Sequence, residues 1–180
     1  MLKNPPLVVD NTVISVYGKS NQFTLLESLY AGNIIIPTEV ITEAIVIPSL
    51  EAQIKRALGN GWLQEHRINY VDHPNQLKNF ARLRKRFGDG ESAVMAIAKD
   101  QNCTVGSDDL RATHKYCRTN SIPMLGSLGI LYDSYDRDHI DEQEGQAILT
   151  DMLSKGYRCP VKKFNEILEW FQNGKGRELF

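Results

Sequence analysis

The segment Leu7-Val8-Val9-Asp10-Asn11-Thr12-Val13-Ile14-Ser15 begins with a three-residue apolar run that stops at an aspartate. A strand that is apolar at every position, rather than at alternate ones, is buried on both faces, and such strands belong to parallel sheets covered by helices. The same form recurs downstream. Ile34-Ile35-Ile36 stops at Pro37, Thr104-Val105-Gly106 stops at Ser107-Asp108-Asp109, and Ile122-Pro123-Met124-Leu125 reads as a last short strand. Residues 66–71 alternate like a half-buried or edge strand. Helical patterns separate these runs. They cover 22–30, a stretch N-capped by Thr38 that carries Glu39 and Glu43, about 50–59, Asn75 to Phe87, Glu91 to Asp100, and Asp109 to about Cys117. Three more fall near 127–135, 141–154 and 161–172; in the last, Val161, Phe164, Ile167, Leu168 and Phe171 trace one face. The alternation predicts an α/β fold of three layers, α/β/α, with a central parallel sheet of four to five strands and extra C-terminal helices. One domain is expected over 1–180, its α/β core ending near 126 and its helices filling 127–180.

Composition narrows the function classes. The chain has 180 residues with 42% hydrophobic and 24% charged positions, ordinary for a globular protein. Its longest uninterrupted apolar stretch, Ala93 to Ala98, falls far short of the ~20 residues of a membrane span. The first twenty residues show no secretory signal, so a cytoplasmic protein without a membrane partner is expected. Cys103, Cys117 and Cys159 are odd in number and widely spaced, which predicts structural thiols rather than a disulfide framework or a zinc site. A net charge of −1 means that any polyanion must be met by a local patch.

In parallel α/β layers the working site lies beyond the carboxyl ends of the strands. Asp10 ends the first strand, Asp108 and Asp109 follow a later one, Glu43 lies one turn after Glu39 on the helix behind the second strand, and Glu91 opens the helix before the Asp108 strand. Each acid alone is also what a helix N-terminus favours. Together they point to one end of the sheet, where two like charges ~4 Å apart repel by about 4 kcal/mol at an effective dielectric near 20. A hard divalent cation, Mg²⁺ or Mn²⁺, relieves such crowding and suits phosphodiester hydrolysis.

These residues carry a resemblance. Leu7 to Ser15 resembles the opening of a PIN domain, with an aspartate ending strand one and a Ser or Thr two residues later. Ile36-Pro37-Thr38-Glu39-Val40-Ile41-Thr42-Glu43 is similar to the family's second block, and Gly90-Glu91-Ser92-Ala93-Val94-Met95-Ala96-Ile97-Ala98 with Gly106-Ser107-Asp108-Asp109 to its third and fourth. Pro123 to Leu131 resembles the segment after the last strand in a prokaryotic branch of the family. The resemblance runs from Leu7 to about Trp170 and implies a PIN-like fold and an Mg²⁺- or Mn²⁺-dependent endoribonuclease, with relatives that are toxins of toxin–antitoxin pairs. It implies catalytic acids Asp10, Glu43, Glu91, Asp108 and Asp109 and metal ligands among Asp10, Glu91, Asp108 and Asp109. Spacing from Glu91 favours Asp109 and the direct strand end favours Asp108, so both stay open. Thr12 is the implied supporting hydroxyl, RNA the implied substrate, and an antitoxin protein an implied partner.

The chain departs from the branch at Thr113, where an Arg often stands, with Arg111 and His114 nearby, and in its longer C-terminal portion. Lys78, Arg82, Arg84, Lys85 and Arg86 place five cations within nine residues. They read either as a phosphate-binding patch, with Arg111 added, or as a solvated helix face. Trp62, Trp170 and Phe171 suit core or surface packing better than a homodimer interface. A phosphatase with Asp10 as nucleophile would want a second Asp where Thr12 stands. A PIN fold that holds RNA or a partner without cutting is the remaining alternative.

Overall fold

The structure, a computed structural model, describes residues 2–174. Met1 and 175–180, the ends of the expected domain and of its C-terminal helical portion, lie outside the described residues. The described residues form five strands, β1 (Leu7–Val9), β2 (Ile34–Pro37), β3 (Gln64–His66), β4 (Thr104–Gly106) and β5 (Met124–Leu125). All pair in parallel, in the order β3-β2-β1-β4-β5. β1, β2 and β4 are buried at every position, the physical meaning of their unbroken apolar runs.

Ten helices connect and follow the strands among the described residues: α1 (Asn11–Lys19), α2 (Phe23–Tyr30), α3 (Thr38–Ala44), α4 (Pro48–Gly59), α5 (Pro74–Leu83), α6 (Asp89–Gln101), α7 (Ala112–Thr119), α8 (Ser127–Asp136), α9 (Glu142–Ser154) and α10 (Phe164–Gln172). The fold is the expected α/β sandwich with a five-stranded parallel sheet. α6 is buried from Ser92 to Ala98 and packs on β1, β2 and β4. α5 lies beside it over a small second core of Phe80, Leu83, Ala93, Met95 and Ala96. The main core joins the sheet to α1, α2, α4 and the C-terminal helices.

The structure corrects four local expectations. Thr38 is the first residue of α3 rather than its N-cap, which is Pro37, and its hydroxyl donates to Glu65 at 2.7 Å. α1 has no counterpart in the sequence reading, because Val13, Ile14 and Val16 look strand-like; Asp10 caps it and Val13, Ile14 and Tyr17 bury its inner face. The strand expected over 66–71 is instead 64–66. β2 ends at Pro37, opposite His66, so the chain beyond has no neighbouring backbone to pair with, and Tyr70 and Val71 stand 78% and 84% exposed. The basic helix stops at Leu83 rather than Phe87, and Arg84 turns to Asp89 with bonds of 2.6 and 2.9 Å. The aromatic expectation agrees: Trp62 is buried edge-on to Phe23, and Phe171 stacks on Tyr132. Cys103 and Cys117 are free and buried, while Cys159 is half-buried.

Candidate active site

Parallel strands deliver the N-termini of the following helices to one edge of the sheet, and the partial positive charge there receives carboxylates. Asp10 is 4% exposed at the end of β1. Its Oδ1 accepts the Asn11 N–H at 2.7 Å, and its Oδ2 accepts the hydroxyls of Thr12 at 3.1 Å and Ser107 at 3.0 Å. Burial pushes its pKa up to about 6, against those hydrogen bonds and with help from the charge of Glu91.

Glu91, in the first turn of α6, is the hub of the cluster. Its Oε2 accepts the Gly88 N–H at 3.2 Å. Burial raises its pKa, and the charges of Asp109 and Glu43 add to the rise. Glu43 reaches the same place from α3, where its Oε1 accepts the Gly90 N–H at 2.8 Å. A Cβ at position 90 would fall 2.7 Å from a Glu43 oxygen, so any side chain there would push the Glu43 carboxylate from its place. The glycine before the acidic residue thus serves a close approach between α3 and α6.

The two aspartates after β4 part company. Asp109 caps α7: Oδ1 accepts the N–H groups of Arg111 at 2.9 Å and Ala112 at 3.3 Å, and Oδ2 that of Thr113 at 2.9 Å. Burial works against its charge, but these backbone donors outweigh it and its pKa is lowered. Asp108 turns to the start of α8, where its oxygens accept the Ser127 N–H at 2.7 Å and hydroxyl at 2.6 Å, with the Tyr157 hydroxyl at 3.3 Å. Burial raises its pKa despite those bonds. The structure therefore brings Asp10, Glu43, Glu91 and Asp109 together and places Asp108 on another face.

Thr12 bridges the two faces, donating to Asp10 and accepting the Asp108 N–H at 3.0 Å. Ser107 ties Asp10 to the Asp109 N–H, the latter at 3.2 Å. Sequence reading missed Ser107, whose signal was its place before the two aspartates. It also missed the part played by Ser127, which lies in the Pro123 to Leu131 block, and by Tyr157, which no local pattern marks.

The cations separate as well. Arg82, Arg86 and Arg111 line a cavity of about 780 Å³ between the end of α5 and α7, with Lys115, Phe87 and Tyr116. Arg84 is held by Asp89, and Lys85 does not line that cavity. Thr113, where the related branch often has Arg, is 1% exposed, whereas Arg111 is exposed beside Asp109.

In chemical kind the clustered donors fit a hard divalent cation, being carboxylate oxygens of which Asp10 and Glu91 are raised first by burial and further by the charge of neighbouring acids. Among the described residues, however, no three acidic, histidine or cysteine side chains stand close enough to form a ready metal cage. Among the described residues, no helix is long and apolar enough to cross a membrane. A family model described as a PIN domain matches residues 6–173. No curated protein matches the chain.

Proposed function

The chain belongs to the PIN-domain family, a family generally of nucleases, and we propose that it is an Mg²⁺- or Mn²⁺-dependent endoribonuclease that cuts single-stranded RNA. The observation that carries this reading is the meeting of Asp10, Glu43 and Asp109 around Glu91, at the carboxyl end of a parallel sheet and beside a basic cavity. Asp10, Glu91 and Asp109 are the residues that would hold the ion, with Glu43 behind them. When bound, such an ion supplies charge stabilisation for in-line displacement at a phosphodiester.

The rest falls to the chain's own side chains. Thr12 and Ser107 hold the Asp10 carboxylate in one orientation through their hydroxyls. Backbone donors keep Asp109 ionised at neutral pH. Glu43, fixed on Gly90, sets the spacing of α3 and α6 and so the position of Glu91. Arg82, Arg86 and Arg111, which line one cavity, would take backbone phosphates. Asp108, engaged by Ser127 and Tyr157, acts as an anchor for α8 and the chain after α9.

Cleavage of end-labelled single-stranded RNA with Mn²⁺ tests the proposal. Cutting by the parent, lost with EDTA and in Asp10→Asn, is the expected result; equal behaviour of parent and variant overturns it. The spacing of the carboxylates, no three of which form a metal cage among the described residues, favours one second reading, a PIN fold that holds RNA or a partner protein without cutting it. Tight RNA binding by the parent with no cleavage in any divalent metal would establish that reading. A toxin role, with an antitoxin as partner, belongs to the same proposal: induced expression then arrests growth and Asp10→Asn does not.

A further inference from the structure

A second cavity opens behind Thr12, of about 280 Å³, between α1 and the chain that follows α9. One wall is Thr12, Ser15 and Lys19 of α1, and the other is Lys155, Tyr157 and Arg158. Asp108 forms part of it, with both oxygens already engaged by Ser127 and Tyr157. Lys155 is tied to Asp151 at 2.8 Å, but neither Lys19 nor Arg158 has a carboxylate partner among the described residues. Two cations without a carboxylate partner on opposite walls of a small cavity are the chemistry that receives a phosphate by its charge, the hydroxyls of Thr12 and Ser15 being already given to Asp10 and Asn11. The volume falls just below the range for ligand cavities, about 300–1,000 Å³, and suits a small group such as one phosphate.

The cavity is joined to the acids through one side chain, since the Thr12 hydroxyl donates to Asp10. On the other flank of the cluster, Arg111 is two residues from Asp109 and lines the Arg82–Arg86 cavity. Contacts therefore link the two cavities through the acids, from Arg111 to Asp109, through Ser107 to Asp10, and from Asp10 to Thr12. We propose that the second cavity holds a backbone phosphate of the same RNA strand, so that the strand crosses the acids between two basic holds. The proposal rests on the ribonuclease reading and assigns to α1 and the chain after α9 the half of the substrate track that the acidic blocks do not supply.

The test is the anisotropy of a fluorescein-labelled ten-nucleotide single-stranded RNA on full-length Asp10→Asn protein, which binds without cutting. Adding Lys19→Ala and Arg158→Ala together is expected to weaken binding about tenfold and to flatten the slope of log affinity against log salt by about 0.7, the amount for one lost single-strand phosphate contact. Arg111→Ala serves as the control on the other flank, and unchanged melting curves exclude misfolding. If Arg111→Ala weakens binding and the double variant does not, the second cavity is no phosphate hold, and the ribonuclease reading stands. If Asp10→Asn protein binds no RNA at all, the ribonuclease reading falls and this inference with it. Displacement of the RNA by micromolar nucleoside monophosphate, lost in the double variant, would reassign the cavity to a free nucleotide.

Discussion

Asp108 and Asp109 are adjacent and chemically identical, yet their carboxyl groups move in opposite directions, Asp108 up and Asp109 down. Burial pushes both upward. Asp109 overcomes it with three backbone N–H donors at the start of α7, which favour the anion. Asp108 is met by Ser127 and Tyr157, whose bonds do not outweigh its burial. The difference teaches that the carboxyl edge of this sheet has two faces. One gathers charge around Glu91. The other uses a carboxyl group as a fastening between β4, α8 and the chain after α9.

The sharpest way to break that comparison is to neutralise each aspartate in turn. Asp109→Asn is expected to lower Mn²⁺-dependent RNA cleavage by about 10²–10³-fold, the scale of losing a group that stabilises charge in the transition state. Asp108→Asn should lower cleavage by no more than about 10–100-fold, the scale of an outer-shell change, and so by less than Asp109→Asn. Single-turnover rates of the two variants decide it, and equal losses would erase the distinction between the faces.

Metal-free protein gives the next largest effect. Asp10 is raised from 3.8 to about 6, so the native state favours its protonated form. Stability is therefore greatest below the unfolded value and falls as pH rises through the folded one, by up to about 3 kcal/mol over that window. Melting in EDTA between pH 4 and pH 7 should show this fall for the parent and a flatter profile for Asp10→Asn. A pH-independent difference between the two would remove the cost assigned to the crowded face. In the same assay, Mn²⁺ at a hundredfold excess over its Kd should restore about 2.7 kcal/mol to the parent. Asp109→Asn should reduce that gain and Asp108→Asn should not.

Smaller effects sharpen the picture. Gly90→Ala places a methyl carbon against the Glu43 carboxylate and is expected to cost about 1–3 kcal/mol by overpacking, with lost cleavage beyond what stability explains. On the opposite face, Tyr157→Phe removes one hydrogen bond to Asp108 and should cost about 1 kcal/mol, read by denaturant melting, with cleavage by the folded protein retained.

Much of this was legible before the fold was seen. Unbroken apolar runs at 7–9, 34–36 and 104–106 announced buried parallel strands, and topology then required Asp10, Glu43, Glu91 and the Asp108–Asp109 pair to lie near one edge. The helix over 11–19 was not legible, because β-branched residues suit strands, and what holds it helical is the Asp10 cap and burial of Val13, Ile14 and Tyr17. The strand over 66–71 was overread, since alternation cannot reveal that the neighbouring strand ends at Pro37. The five clustered cations read in the sequence either as one phosphate-binding patch or as a solvated helix face. Arg84 belongs to Asp89, and Lys115 of α7 takes a place beside Arg82 and Arg86 that no local run could show.

By itself the sequence determined the α/β class, the parallel sheet and the identity of the acids, because each depends on local pattern and on the rule that strand ends share an edge. Only the tertiary structure decided which aspartate faces Glu91. Both Asp108 and Asp109 follow the same strand, and what separates them is partners: residues 111 to 113 for one, and residues 127 and 157 for the other. A carboxylate's role is set by the donors around it, and for Asp108 those donors arrive from 19 and 49 positions away along the chain.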